Sequence, residues 1–183
     1  MKVFAAGALG AAIIALAASG YFFFIQTPAP PLPLGEEVPS SALTAARTAP
    51  QGMQEYNDGQ YKFSLLYLES LQVSSVDEGG GASTITFQNP TAGQGFQVFV
   101  VPFFESQISD ERFLRDIPTG VRDNAEDITV DGAQGVAFYS KDIMLGDTRE
   151  VWFIKNNYLY EVTTLRPLEA DLLEVLKTWT FLE

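Results

Sequence analysis

The chain has 183 residues, of which 46% are hydrophobic and 19% charged, with a formal net charge of −12. It holds neither cysteine nor histidine, which excludes disulfides, thiolate nucleophiles, Ser-His-Asp and Cys-His catalysis, haem ligation by His and the usual zinc sites. The acidic balance repels phosphate-rich partners at long range, so nucleic acid is not expected as a partner and anionic lipid surfaces are poor candidates.

The first element is an apolar run from Val3 to Ile25 without a single charge. At 1.5 Å per residue a helix over it would span roughly 34 Å, enough for a hydrocarbon core of about 30 Å. Lys2 precedes the run, the next basic residue is Arg47, and Glu36 and Glu37 come between. The positive-inside rule therefore predicts a single-pass anchor over residues 1–25, with the amino end cytoplasmic and the rest extracytoplasmic. The alternative is a signal peptide cleaved near Ala17, at the small-x-small triplet Ala15-Leu16-Ala17. Both readings export the chain, and without cysteine neither involves a lipid-modified thiol.

Residues 26–53 carry Pro28, Pro30, Pro31, Pro33, Pro39 and Pro50 among Ala, Thr, Ser and Gly. Such a composition predicts a tether, polyproline II near its start, reaching roughly 85 Å at ~3.1 Å per residue. Only Lys2, Arg47, Glu36 and Glu37 among the charged residues precede Gln54, so the whole imbalance of −12 falls in residues 54–183. That length suits one domain.

Within the domain, Gln54–Asn57 and Tyr61–Tyr67 are predicted strands around Asp58-Gly59, a pair suited to positive φ. Leu71–Val76 and Ala82–Gln88 form a second hairpin around Glu78-Gly79-Gly80-Gly81. A phosphate cradle is the other use of such glycines, but neither a Lys-Ser/Thr pair nor a helix pattern follows. Phe96–Val101 is almost continuously apolar and predicts a central strand covered on both faces. Ser109 then reads as a helix N-cap, with Asp110 and Glu111 in the first turn, Ile108 and Phe113 at staple positions, and Pro118 and Gly120 at the close.

The stretch 123–131 is the densest acidic cluster, and Asp127-Ile128-Thr129-Val130-Asp131-Gly132 partly matches a calcium loop. The twelfth position is Phe138, where a bidentate Glu is needed, and Ile128 and Val130 alternate as in a strand. Gln134–Tyr139, Arg149–Ile154 and Tyr158–Thr164 are further strands, the last two joined by Asn156-Asn157. Pro167 opens a helix with Leu168, Leu172, Val175, Leu176 and Trp179 on one face, and Thr180-Phe181-Leu182 adds an extended piece to the sheet. Hairpins with one internal and one terminal helix predict an α+β domain built on a mainly antiparallel sheet. Phe63, Phe87, Phe96, Phe99, Phe138, Trp152, Phe153 and Trp179 are the expected aromatic core, and Phe103 and Phe104 are expected to pack in the core or at its rim.

Tyr56, the strand Tyr61-Lys62-Phe63-Ser64-Leu65-Leu66-Tyr67 and the ending Leu173 to Leu176-Lys177-Thr178-Trp179-Thr180-Phe181 resemble the PsbP-like family, whose fold is shared with a Ran-binding nuclear import factor. The resemblance covers about residues 56–181. It implies an antiparallel sheet sandwiched between helices, behind an export signal or anchor in bacterial relatives. Lys62 stands where the family usually has Gly, and Leu68 and Leu71 stand where Pro and Trp are common. These are packing motifs, so the resemblance implies no catalytic residue.

The functional expectation is a membrane-tethered extracytoplasmic binding or assembly module without catalytic, cofactor-binding or metal residues, meeting another envelope or membrane protein. Two alternatives are a small hydrophobic ligand held in a sheet–helix groove, and an envelope hydrolase using paired carboxylates in a cleft.

Overall fold

Tight turns at positive φ set the architecture. The computed structural model describes residues 47–183; the expected anchor at Val3–Ile25 and most of the tether lie outside the described residues. Among the described residues no helix is long and apolar enough to cross a membrane. The strands are β1 (Met53–Asp58), β2 (Phe63–Leu68), β3 (Gln72–Gly79), β4 (Ala82–Asn89), β5 (Gln94–Pro102), β6 (Asp123–Val130), β7 (Ala133–Asp142), β8 (Gly146–Lys155), β9 (Tyr158–Leu165) and β10 (Thr180–Phe181). The helices are α1 (Asp110–Asp116) and α2 (Glu169–Lys177), the latter entered through a 3-10 turn at Arg166–Leu168.

Three hairpins turn on two residues with both φ values positive: Gly80-Gly81 (62°, 83°), Asp131-Gly132 (42°, 77°) and Asn156-Asn157 (52°, 63°). That is the backbone whose twist matches flanking strands, and Gly, Asn and Asp adopt it at least cost. The glycine run is thus a turn, and Asp131-Gly132 closes a hairpin. Between β1 and β2 the expected positive φ at Asp58-Gly59 falls instead at Lys62, φ 58°. Asp58 Oδ1 accepts the N–H groups of Gln60 (3.0 Å) and Tyr61 (2.9 Å), which moves the left-handed residue to the end of the turn. This is the position where the family usually has Gly, the residue that adopts such a φ without strain.

Every strand pair is antiparallel, but the strands form two sheets where one was expected. One has the order β3-β4-β5-β9-β8-β7-β6 and the other β1-β2-β10. The separation follows from β2, where five successive residues are buried. Its Phe63, Leu65 and Tyr67 pack face-on against the large sheet, while β1 and β10 take its backbone hydrogen bonds. After β5 the chain crosses one face of the large sheet as α1, reaches the far edge as β6, and returns strand by strand to pair β9 with β5.

Alternation assigns the two faces. Val98, Val100, Val151, Phe153, Tyr160 and Val162 meet the small sheet and α2 in the main core, with Leu172, Val175 and Trp179. Phe138, Trp152 and Leu159 point the other way, to Phe113 and Ile117 of the α1 region. Helices therefore lie on both faces of one mainly antiparallel domain. The α1 cap forms as its sequence predicts: Ser109 Oγ accepts the Arg112 N–H at 3.2 Å.

Phe99 and Phe104 depart from the expected core. Seven helical residues span only about 10 Å, and α1 packs over β7, β8 and β9. Phe99 on β5 is half-buried because it lies beyond that cover. Phe103 is buried in the α1-side cluster, whereas Phe104 is 83% exposed. Sequence position also carries one tight contact. A Cβ at Gly135 of β7 would approach Phe153 Cβ to 2.7 Å and strike the Trp152 carbonyl. Gly135→Ala is expected to cost about 1–3 kcal/mol in urea denaturation, and a neutral substitution would show that the β7–β8 register is wrong.

The amino end of the described chain is bonded into this domain. Arg47 Nη1 donates to the Thr178 carbonyl (2.6 Å) and Thr180 Oγ1 (3.1 Å), Nη2 to Ser64 Oγ (3.1 Å), and Nε to Glu55 (3.1 Å).

Candidate functional site

The β7–β8 turn gathers the features that a packed domain does not need. Asp142 Oδ1 accepts the N–H groups of Met144 and Leu145, each at 2.7 Å, and Gly146 closes the turn at φ 82°. The side-chain cap uses up the turn's donors and leaves Ile143 and Met144 in water, 76% and 83% exposed. Leu145 is drawn back and lines an open depression of about 510 Å³ with Asp147, Leu165, Arg166 and Pro167. On the other side of the turn Thr119 Oγ1 donates to the Lys141 carbonyl at 2.7 Å. Leu114 Cδ2 lies 3.6 Å from the place a Cβ on Gly120 would take, and Leu114 is 62% exposed. Ile143 and Met144 thus stand next in sequence to Leu145 and its depression at one end of the large sheet.

Exposed charges of both signs border this apolar surface: Lys141 precedes the turn, and Arg166 and Asp147 line the depression. The Arg166 guanidinium lies 4.4 Å from the Tyr139 ring centroid, and Arg149 lies 4.7 Å from the same ring. Tyr139 donates to Glu169 (2.9 and 3.1 Å), Arg149 Nε sits 3.2 Å from Glu169, and Arg149 Nη2 pairs with Glu126. The bond to Glu169 is the main reason that the Tyr139 hydroxyl holds its proton above the usual range. Arg149 is spent in this network, while the Arg166 side chain makes no ion pair or hydrogen bond among the described residues. The arrangement suits recognition of an apolar segment carrying a carboxylate: a planar cation held against an aromatic ring beside an apolar floor.

A second polar cluster lies beneath α1. Glu161 of β9 pairs with Arg112 Nη2 at 2.8 Å, and Arg112 also contacts Asp116. One strand over, Glu150 accepts from Thr148 Oγ1 (2.7 Å), Thr163 Oγ1 (2.6 Å) and the Trp152 indole N–H (3.3 Å). Both glutamates are buried. Burial pushes the Glu150 carboxyl up against the lowering effect of its three donors. Burial and then Asp116 push Glu161 well up, more than Arg112 lowers it.

These placements bear on each expectation in turn. The carboxylates that lie deepest are closed over by α1 and committed to internal partners, so they do not line a cleft as a glycosidase pair does. The sheet–helix interface beside them is filled, with Phe113 stacked on Trp152 at 4.9 Å. The depression lies beside the Arg166–Leu168 turn instead of in a sheet–helix groove. The acidic stretch 123–131 forms edge strand β6 and its turn, with Asp123 and Asp127 exposed and Glu126 turned to Arg149. Among the described residues no group of three Asp or Glu side chains converges as a metal site. A charged edge of this kind discourages pairing with other strands.

Sequence reading did not single out this end of the domain or the buried charges. Ile143-Met144-Leu145 between Asp142 and Gly146 was the available signal, an apolar triplet where a turn needs none. For Glu150 and Glu161 the signal was alternation: each shares a strand face with buried Trp152 or Leu159.

No protein-family model matches the chain. No curated protein matches it by sequence. The fold is similar to that in the solution structure of cyanobacterial PsbP (CyanoP) from Synechocystis sp. PCC 6803, with a TM-score of 0.50 and 15% identity, over 75% of this chain and 97% of that one. The described domain thus has a PsbP-like fold, as the opening and closing motifs implied.

Proposed function

We propose that this chain is a membrane-tethered, extracytoplasmic binding or assembly module without catalytic activity, and that it holds another envelope or membrane protein through the β7–β8 end. The observation that carries the reading is the exposed pair Ile143 and Met144, next in sequence to Leu145, which lines a depression with Arg166 and Asp147. Large apolar side chains at a turn cost solubility, and a contiguous patch rimmed by polar groups marks an interaction surface. Arg166, held against Tyr139, offers this end a charge complementary to a partner carboxylate.

The tether supplies the address. An uncharged run at Val3–Ile25 followed by proline-rich residues 26–53 supports an anchor that lifts the domain off the bilayer. Release by cleavage near Ala17 is the second form of the same export. The test is fractionation with protease added to intact spheroplasts. The full-length chain is expected in washed membranes, with its domain digested from outside. A chain protected from protease until lysis would sink the proposed topology, and a mature amino terminus at Ala18 would select the secreted form.

A further inference from the structure

We propose that edge strand β3 is a self-association surface, pairing antiparallel with β3 of a second copy about a two-fold axis at Ser74. Among the described residues β3 is bonded on one side only, to β4, and every residue of it but Val73 is exposed. An unpaired edge offers a row of backbone donors and acceptors, and proteins normally block it with charge, proline or a bulge. The opposite edge is blocked in this way: β6 exposes Asp123, Glu126 and Asp127 and shifts register between Asp123 and Glu126. On β3 the acids and the register shift are confined to one end, at Asp77–Gly79, and Gln72-Val73-Ser74-Ser75-Val76 carries neither charge nor proline.

The backbone fixes which residues can bond. The Val76 carbonyl accepts from Ser83 Oγ of β4 at 2.9 Å, so it faces β4. Successive residues of a strand turn their N–H and C=O groups to opposite sides, so Val73 and Ser75 turn theirs to the open edge. In an antiparallel pair, two residues opposite each other either both bond or both do not. Two copies of β3 can therefore meet only with one residue opposite itself. Centring on Ser74 uses the whole uncharged run: Val73 of each copy exchanges bonds with Ser75 of the other, Gln72 faces Val76, and Ser74 faces Ser74. Asp77 then lies opposite Leu71, which precedes the strand, so no two acids face each other.

A second copy suits this edge better than a loose peptide for two reasons. Its β3 is already extended, so pairing orders no further chain. The two-fold axis at Ser74 also stands upright on the joined sheet, so corresponding faces stay on one side. Both small sheets then share that side, and Arg47 is bonded to Glu55, Ser64 and Thr180 of the small sheet. Both described amino ends thus leave from one side, as two chains held at one membrane require. The joined sheet carries two β7–β8 ends, which makes binding there bivalent. The shared membrane and the bivalence rest on the functional reading above; the pairing itself does not.

The chain has no cysteine, so Ser74→Cys supplies a single thiol that reports the axis. The test applies a mild oxidant to the full chain carrying Ser74→Cys, in cell extract and after purification in detergent. High salt screens the repulsion between two acidic domains. A disulfide-linked dimer of twice the chain's mass is expected in both, and none from Ala125→Cys on exposed β6. In sedimentation velocity on the chain without cysteine, Ser74→Lys is expected to weaken self-association about fivefold, because it sets like charges directly opposite each other. Ser74 is exposed, so both substitutions keep the fold. A chain that stays monomeric, equal cross-linking from Ala125→Cys, a product of Ser74→Cys with a different protein in place of the dimer, or association unchanged by Ser74→Lys would overturn the proposal. None of these results bears on whether the β7–β8 end holds a partner, so the two readings fail separately. A crosslinker at Val76 likewise reports the second copy and not the envelope partner.

Discussion

Trp179→Ala is expected to remove about 3–5 kcal/mol of folding stability. Trp179 is buried at the end of α2, stacked on Phe63 at 4.4 Å and set edge-on to Phe153 (5.1 Å) and Tyr160 (5.8 Å). It touches β2 of the small sheet and β8 and β9 of the large one in a single side chain. Truncation leaves a cavity where two sheets and a helix meet, and the aromatic neighbours cannot collapse into it without breaking their own contacts. A domain of this size has only about 5–15 kcal/mol to lose. Urea denaturation followed by far-UV circular dichroism measures the change, with Trp179→Phe as the milder control. A loss below about 1 kcal/mol would show that the small sheet is not docked as described.

The pair Ile143→Asp and Met144→Asp is expected to act oppositely, on binding and not on folding. Both side chains stand in water, so the stability change should stay within about 0.5 kcal/mol. Their loss from an interface should weaken partner binding by roughly 30-fold, about 2 kcal/mol, the size of a hot spot. Arg166→Glu should weaken binding similarly, because it reverses the charge beside the apolar floor. Destabilisation by the aspartates would mean that the turn is packed. Binding that survives all three changes would move the interface elsewhere.

Much of the domain was legible because its signals were local. The Asn156-Asn157 and Gly80-Gly81 turns, the Ser109 cap and the alternation in β8 each fix structure within a few residues. The PsbP-like opening and ending motifs work in the same way, placing β2 and the α2–β10 ending that pack together. The split into two sheets was not legible, since alternation says which residues face inward but not which layer receives them. Phe99 and Phe104 were misjudged for the same reason: burial depended on the length of α1 and the path of the loop after β5. The proposed binding end was hidden because its parts come from Ile143, Met144, Leu145, Leu165 and Arg166, which the β7–β8 turn and the strand β9 bring to one place.

The most direct test of the proposed function places a photo-crosslinking amino acid at Met144 in intact cells, with Val76 on the opposite edge strand as the control. A discrete crosslinked membrane or envelope protein is expected from Met144, lost on Arg166→Glu and absent from Val76. No product from Met144, or the same product from both positions, would contradict the β7–β8 end as the partner-binding surface.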